Sequence, residues 1–190
     1  MGKSTAKRPR RKDKRGGEGP AKPPLDRRQI VFLVAFVLLL GGSFTLLSLN
    51  AVDRSFVVPF TAVVARVSGA LLDLIGQDVT MHGTQIVSSS FAVDIKNGCN
   101  GLETVVVFGS AVLAFPAPWR KRLAGFVLGV AAIQVINLVR VVALFLTGVY
   151  FPDFFDSSHT VVWQTIVVGF GVLLFLFWAS RLQPRTAASA

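Results

Sequence analysis

The sequence predicts an all-α polytopic membrane protein with about four transmembrane helices, an outer interfacial helix and a small outer-side β-hairpin. Three observations predict it. Just over half of the 190 residues are apolar and sixteen of them are Phe. These residues gather in uncharged runs close to the ~20 residues that a bilayer requires. The twenty Lys and Arg are concentrated instead at the N-terminal end and in short segments between the runs.

Residues 3–28 hold eleven of the twenty basic residues, interspersed with Gly and Pro. With almost no apolar content, this stretch cannot offset the entropy cost of ordering. Residues 1–29 are therefore expected to be a disordered basic cytoplasmic tail that meets anionic membrane lipid. Nothing aromatic interleaves with the charge, so a nucleic-acid partner is not expected. The membrane domain follows at 30–181, with an outer segment at 50–98, and 182–190 forms a second cytoplasmic tail.

The run 30–49 (IVFLVAFVLLLGGSFTLLSL) carries no charge. It is longer than the apolar region of a signal peptide, and no small-x-small cleavage site follows promptly. It is read as the first span. Three further spans are expected at 102–115 (extended back to about Cys99), 123–147 and 161–180. The segment 55–75 (SFVVPFTAVVARVSGALLDLI) competes for a fifth. It would place Arg66 and Asp73 in hydrocarbon at roughly 2.5 to 3.5 kcal/mol each. Arg66, Asp73 and Gln77 instead share one face at helical spacing, as in a helix lying in the outer interface. Beyond it the period changes to two. Phe91, Val93 and Ile95 alternate with Ala92, Asp94 and Lys96, a strand pattern, and VTMHGTQIV with a turn at Gly83 supplies its partner. His82 falls in this hairpin and is read as structural.

Four spans put both termini on one side. If that side is the cytoplasm, the tail, the loop PAPWRKR and the end RLQPR hold sixteen of the twenty basic residues there. The other side keeps Arg54, Arg66, Lys96 and Arg140, with seven of the ten acidic residues. This is a strong positive-inside bias.

The topology brings three reactive side chains to one depth. Cys99, the single cysteine, lies in NGCNGLET at the outer end of the second span. There the unpaired amides of a helix N-terminus favour a thiolate, while an apolar pocket opposes one. Asn97 and Asn100 are placed to cap that helix or donate hydrogen bonds. Glu103 follows one turn later on the same face. Arg140 ends a polar stripe with Gln134 and Asn137 on the third span, and an Arg so placed must snorkel, pair or serve a site. His159 opens the fourth span. One Cys and two distant His make no metal-ligand set, and neither a metal nor a cofactor is expected.

NGCNGLET, the NLVR of the third span and the His opening the fourth resemble the exosortase/archaeosortase family of membrane transpeptidases. The wording around the Cys and the short length are most similar to the exosortase H branch, associated with IPTL-CTERM sorting tails. The resemblance spans about residues 49–181, with fewer spans than many relatives have. It implies a bacterial inner-membrane enzyme whose active site faces the periplasm. It also implies a catalytic set of Cys99, Arg140 and His159, with supporting roles for Asn97, Asn100, Glu103 and Asn137. The substrates implied are exported proteins ending in a short motif, a transmembrane helix and a basic cluster. They would be cleaved through a thioester and passed to an acceptor that the sequence does not identify. Two other readings stay open on the residues alone: a non-enzymatic assembly or transport component, and a purely hydrolytic intramembrane cysteine protease.

Overall fold

The structure, a computed structural model, describes residues 26–96 and 98–182. The expectations for the basic tail up to residue 25, for Asn97 and for residues 183–190 lie outside the described residues.

Helix α1 (Arg27–Leu47) begins three residues earlier than its apolar run. The Asp26 backbone N–H there donates to the Gln29 side chain at 3.1 Å and closes the first turn. Its 21 residues rise about 31 Å, one hydrocarbon thickness. After a break at Ser48 and Leu49 the chain re-enters helix as α2 (Asn50–Val52), a π-helical turn (Asp53–Val57) and α3 (Val58–Leu74). Three short strands follow: β1 (Thr80–His82), β2 (Gln85–Val87) and β3 (Ala92–Asp94). They form an antiparallel sheet in the order β1-β2-β3, pairing Met81 with Ile86 and Ile86 with Val93. The expected hairpin is thus present and widened, because VTMHGTQIV is itself a hairpin turning at Gly83 (φ +64°).

Helix α4 (Leu102–Ala114) runs back antiparallel to α1, and the PAPW turn leads into α5 (Trp119–Tyr150). A one-turn 3-10 helix (Pro152–Phe154), α6 (Phe155–Ser157) and a π-helical segment (Ser158–Trp163) return the chain to α7 (Gln164–Leu182).

Two cores organise these elements. Around α4, Phe108, Val112 and Ile133 pack with Phe126, Phe170, Phe175 and Trp178, joining α4, α5 and α7. At Gly129 a side chain would run into the Phe108 ring, so this glycine sets the close approach of α5 to α4. The second core holds Val64, Ala65 and Leu72 of α3, Val79, Ile86 and Ile95 of the strand region, and Val141 and Phe145 of α5. Helix α5 is the shared element. Its 32 residues rise about 48 Å, far beyond the 13 residues and about 20 Å of α4. The last third of α5 therefore projects past the start of α4, and α3 and the sheet pack on that projection.

This geometry corrects one expectation while leaving the fold class intact. The second expected span is a 13-residue helix, shorter than a ~30 Å hydrocarbon core. Glycines 98 and 101, both at positive φ, turn the chain until Leu102 and delay the helix. Conversely, the continuous helical stretch Asn50–Leu74 is long and apolar enough to cross a membrane, as are Arg27–Leu47, Trp119–Tyr150 and Val161–Leu182. Four such helices remain, but they are not the expected four.

Candidate active site

Cys99 sits in the turn between the sheet and α4, not on the helix itself. Its backbone N–H donates to the Lys96 carbonyl at 2.9 Å, and the helix starts three residues later. Gly98 (φ +90°) and Gly101 (φ +79°) occupy the left-handed region that only Gly enters without strain. Gly101 carries a second constraint. A Cβ there would lie 3.0 Å from Cγ of Asn137 and 3.1 Å from Nε2 of Gln134, so α5 presses its polar stripe directly under the turn.

Asn100 pins the other side. Its side-chain amide donates to Thr61 Oγ1 on α3 at 2.9 Å, and its Oδ1 accepts from the Leu102 N–H at 3.1 Å. One buried side chain thereby satisfies the first N–H of α4 and ties it to α3. Thr61 is buried as well and donates onward to the Val57 carbonyl in the π-helical turn. The sequence offered no signal for Thr61, since its partner lies 39 residues away.

The three candidate catalytic residues meet. His159 Nε2 lies 2.7 Å from Cys99 Sγ. Arg140, buried to 2% exposure, donates through Nη1 to the Gly98 carbonyl at 3.2 Å and points Nη2 at Sγ from 3.8 Å. Its fork therefore holds the residue before Cys99 with one arm and faces the sulfur with the other. The His159 ring stacks on Phe155 at 5.8 Å between centroids, and Phe155 in turn packs edge-on against Phe91. These aromatic contacts, made beside the core of α3 and the sheet, fix the plane of the imidazole.

The supporting residues divide. Asn100 and Asn137 are both buried. Asn137 makes no hydrogen bond among the described residues, and its role here is packing beneath Gly101. Glu103 is half-buried in the first turn of α4, with Oε1 3.6 Å from where a Gly98 side chain would begin. His82 lies exposed in the sheet, away from the site.

Burial raises the Cys99 thiol above its ordinary range. The Arg140 charge opposes this and the Glu103 charge adds to it. Burial also lowers the His159 imidazole, the Arg140 charge lowers it further, and Asp156 pulls the other way. Both effects favour the uncharged pair, a thiol against a neutral imidazole, at rest. The helix-terminus argument for a standing thiolate is outweighed because Cys99 precedes the helix and is desolvated.

The family of transmembrane exosortases matches residues 27–181 of this chain. No curated protein and no solved structure matches it.

Proposed function

As a member of the transmembrane exosortase family, the chain is a multi-pass membrane sorting enzyme of the transpeptidase type, and we propose that Cys99 is its nucleophile. The observation that carries this reading is the meeting of Cys99, His159 and Arg140 from three separate elements at contact distance. A packing cysteine needs neither a base nor a guanidinium.

In the proposed reaction, His159 Nε2 accepts the thiol proton while Sγ attacks the scissile carbonyl carbon. For this, Nδ1 must carry the ring's own proton. Arg140 Nη2 neutralises the charge that develops on the carbonyl oxygen or on sulfur. Collapse breaks the C–N bond, and His159 returns its proton to the departing amine. The exported protein is left as a thioester on Cys99. Its C-terminal helix and basic end leave, and an acceptor then releases the acyl group from the sulfur.

The setting fits a substrate tethered by its own helix. We place α1, α4, α5 and α7 across an inner membrane with both termini cytoplasmic, the turns at residues 98–101 and 115–118 making up the length that α4 lacks. Arg140 lies 21 residues along α5 from Trp119, about 30 Å and one hydrocarbon thickness from the basic loop. The site then faces the periplasm, and a tethered sorting signal presents its cleavage point at that depth. We place α3 above it, in the outer interface on the projecting end of α5. Arg66 and Asp73 are both exposed there, and within hydrocarbon each would cost about 2.5 to 3.5 kcal/mol.

The test is co-expression with a tagged protein that ends in a short motif, an apolar helix and a basic cluster. Intact-mass analysis should find a shortened product with added acceptor mass, and full-length protein with Cys99→Ser. A product ending only in a free carboxylate would make the enzyme a hydrolase.

A further inference from the structure

The small sheet has two edges, and β3 is the one that leads into the turn carrying Cys99. It ends at Asp94, and Cys99 follows five residues later. The Ile95 N–H donates to the Thr84 carbonyl at 3.1 Å, and the Ser88 N–H donates to the Phe91 carbonyl at 2.8 Å. With Val93 paired to Ile86, these bonds turn the backbone groups of Phe91, Val93 and Ile95 toward β2. Those of the alternate residues, Ala92 and Asp94, therefore face away from the sheet. Both residues are exposed, and their backbone N–H and C=O groups make no hydrogen bond among the described residues. Beyond them the Lys96 carbonyl accepts from the Cys99 N–H at 2.9 Å, which ties this edge directly to the turn of the site.

An unpaired edge is a template for another chain, and charged side chains such as those of Asp94 and Lys96 ordinarily guard it against indiscriminate pairing. Here the charges leave the backbone groups open. A cavity of about 330 Å3 also lies at the end of β3, between Asp94, Ile95 and Lys96 and the start of α3 at Val58 and Thr61, with room for a side chain of an added strand. We propose that the extended segment before the scissile bond of the substrate adds to the free edge of β3 as a further strand and is thereby led to Cys99. Continuity selects this occupant, because a chain paired along β3 arrives at the sulfur with its next residues. Direction agrees as well. From β3 the enzyme's own chain passes Cys99 and enters α4. A sorting signal likewise passes from its motif through its cleavage point into its apolar helix, so the added strand runs parallel to β3. The inference rests on Cys99 acting as the nucleophile.

In such pairing Ala92 and Asp94 bond to alternate residues of the incoming strand through its backbone. The experiment uses the purified full-length chain and a synthetic tail peptide made of motif, apolar helix and basic end, with KM and kcat read from the shortened product by mass. Ala92→Pro removes an outward N–H and none that β2 uses, a substitution that edge strands tolerate. It should raise KM about fivefold or more at nearly unchanged kcat, the loss of one or two backbone bonds. Ala92→Thr keeps the N–H and should match the wild type. Peptides N-methylated one residue at a time test the same bonds from the other side and need no altered enzyme. Their KM should rise at two residues spaced two apart and stay unchanged at the residue between. A wild-type KM in Ala92→Pro, or an N-methyl series without that alternation, overturns the proposal. Cleavage of the unmodified peptide by the wild type and not by Cys99→Ser would then leave the nucleophile reading standing. A peptide left whole by the wild type removes both.

Discussion

Cys99 and His159 lie in contact under conditions that favour the neutral form of each, so proton transfer belongs to the attack rather than to the resting enzyme. This has a measurable sign. A thiol raised above the ordinary value of about 8.5 holds less thiolate at neutral pH than free cysteine does. The rate of Cys99 alkylation by iodoacetamide should therefore still be rising with pH where that of free cysteine has levelled. Arg140 lowers the thiol, so Arg140→Gln should move the midpoint higher still; a midpoint below that of free cysteine would contradict the desolvated setting.

Arg140 also separates chemistry from anchoring. If it only snorkelled, Lys would serve, since both place a cation at that depth. The observed fork uses two nitrogens in two directions, on the Gly98 carbonyl and toward Sγ, and a single ammonium cannot reproduce both. Arg140→Lys should accumulate to the wild-type level and lose about 10²–10³ in processing rate, the cost of one lost oxyanion donor. Paired blots of tagged substrate and enzyme provide the check. Near-normal processing would reduce Arg140 to an anchor and leave Cys99 and His159 as a dyad.

The turn before α4 is the element on which the site depends. Gly101 must hold φ +79° and must leave room for Asn137 beneath it. Gly101→Ala faces a left-handed backbone penalty of about 1–2 kcal/mol, and the crowding of Asn137 adds to it. The variant should melt earlier in detergent, and its Cys99 should lose the alkylation profile set by His159 and Arg140. A variant with wild-type melting and alkylation would show that the turn tolerates a side chain.

The same turn marks where sequence reasoning stopped. Apolar runs and basic loops reveal membrane helices because hydrocarbon and charge exclude each other. That is why α1, α5 and α7 were legible. The pattern does not show how far a helix extends beyond an apolar run, so α4 was expected to reach back to about Cys99, whereas it begins at Leu102. Length and hydropathy likewise cannot tell a crossing helix from one lying in the interface, where α3 is proposed to lie. The convergence of Cys99, Arg140 and His159 was legible from their shared depth and from the resemblance carried by NGCNGLET, since an Arg at that depth is costly without a partner. Thr61 and Phe155 were not, because a Thr and a Phe on apolar helices look like packing until the tertiary fold supplies Asn100 and His159.

At the scale of the whole molecule, the two cores meet at the level of Cys99. The core of α4, α5 and α7 lies on one side and that of α3, the sheet and the end of α5 on the other. The proposed sidedness is directly testable. In a Cys99→Ala background, a cysteine at the exposed Asp153 should react with an impermeant maleimide added from outside, and one at Ala117 in the PAPW turn should not. The reverse pattern would place the site on the cytoplasmic face, where an exported substrate has no reason to be cut.

The central claim is that Cys99 attacks the sorting signal, and one substitution addresses it. Cys99→Ala removes the sulfur from a half-buried turn held by Asn100, Gly98 and Gly101, so the protein should insert and accumulate as wild type does. The measurement is an immunoblot of a tagged substrate co-expressed with each form. The account predicts that only full-length substrate is found beside Cys99→Ala, while the wild-type enzyme shortens it. Continued shortening of the substrate by Cys99→Ala would contradict the account.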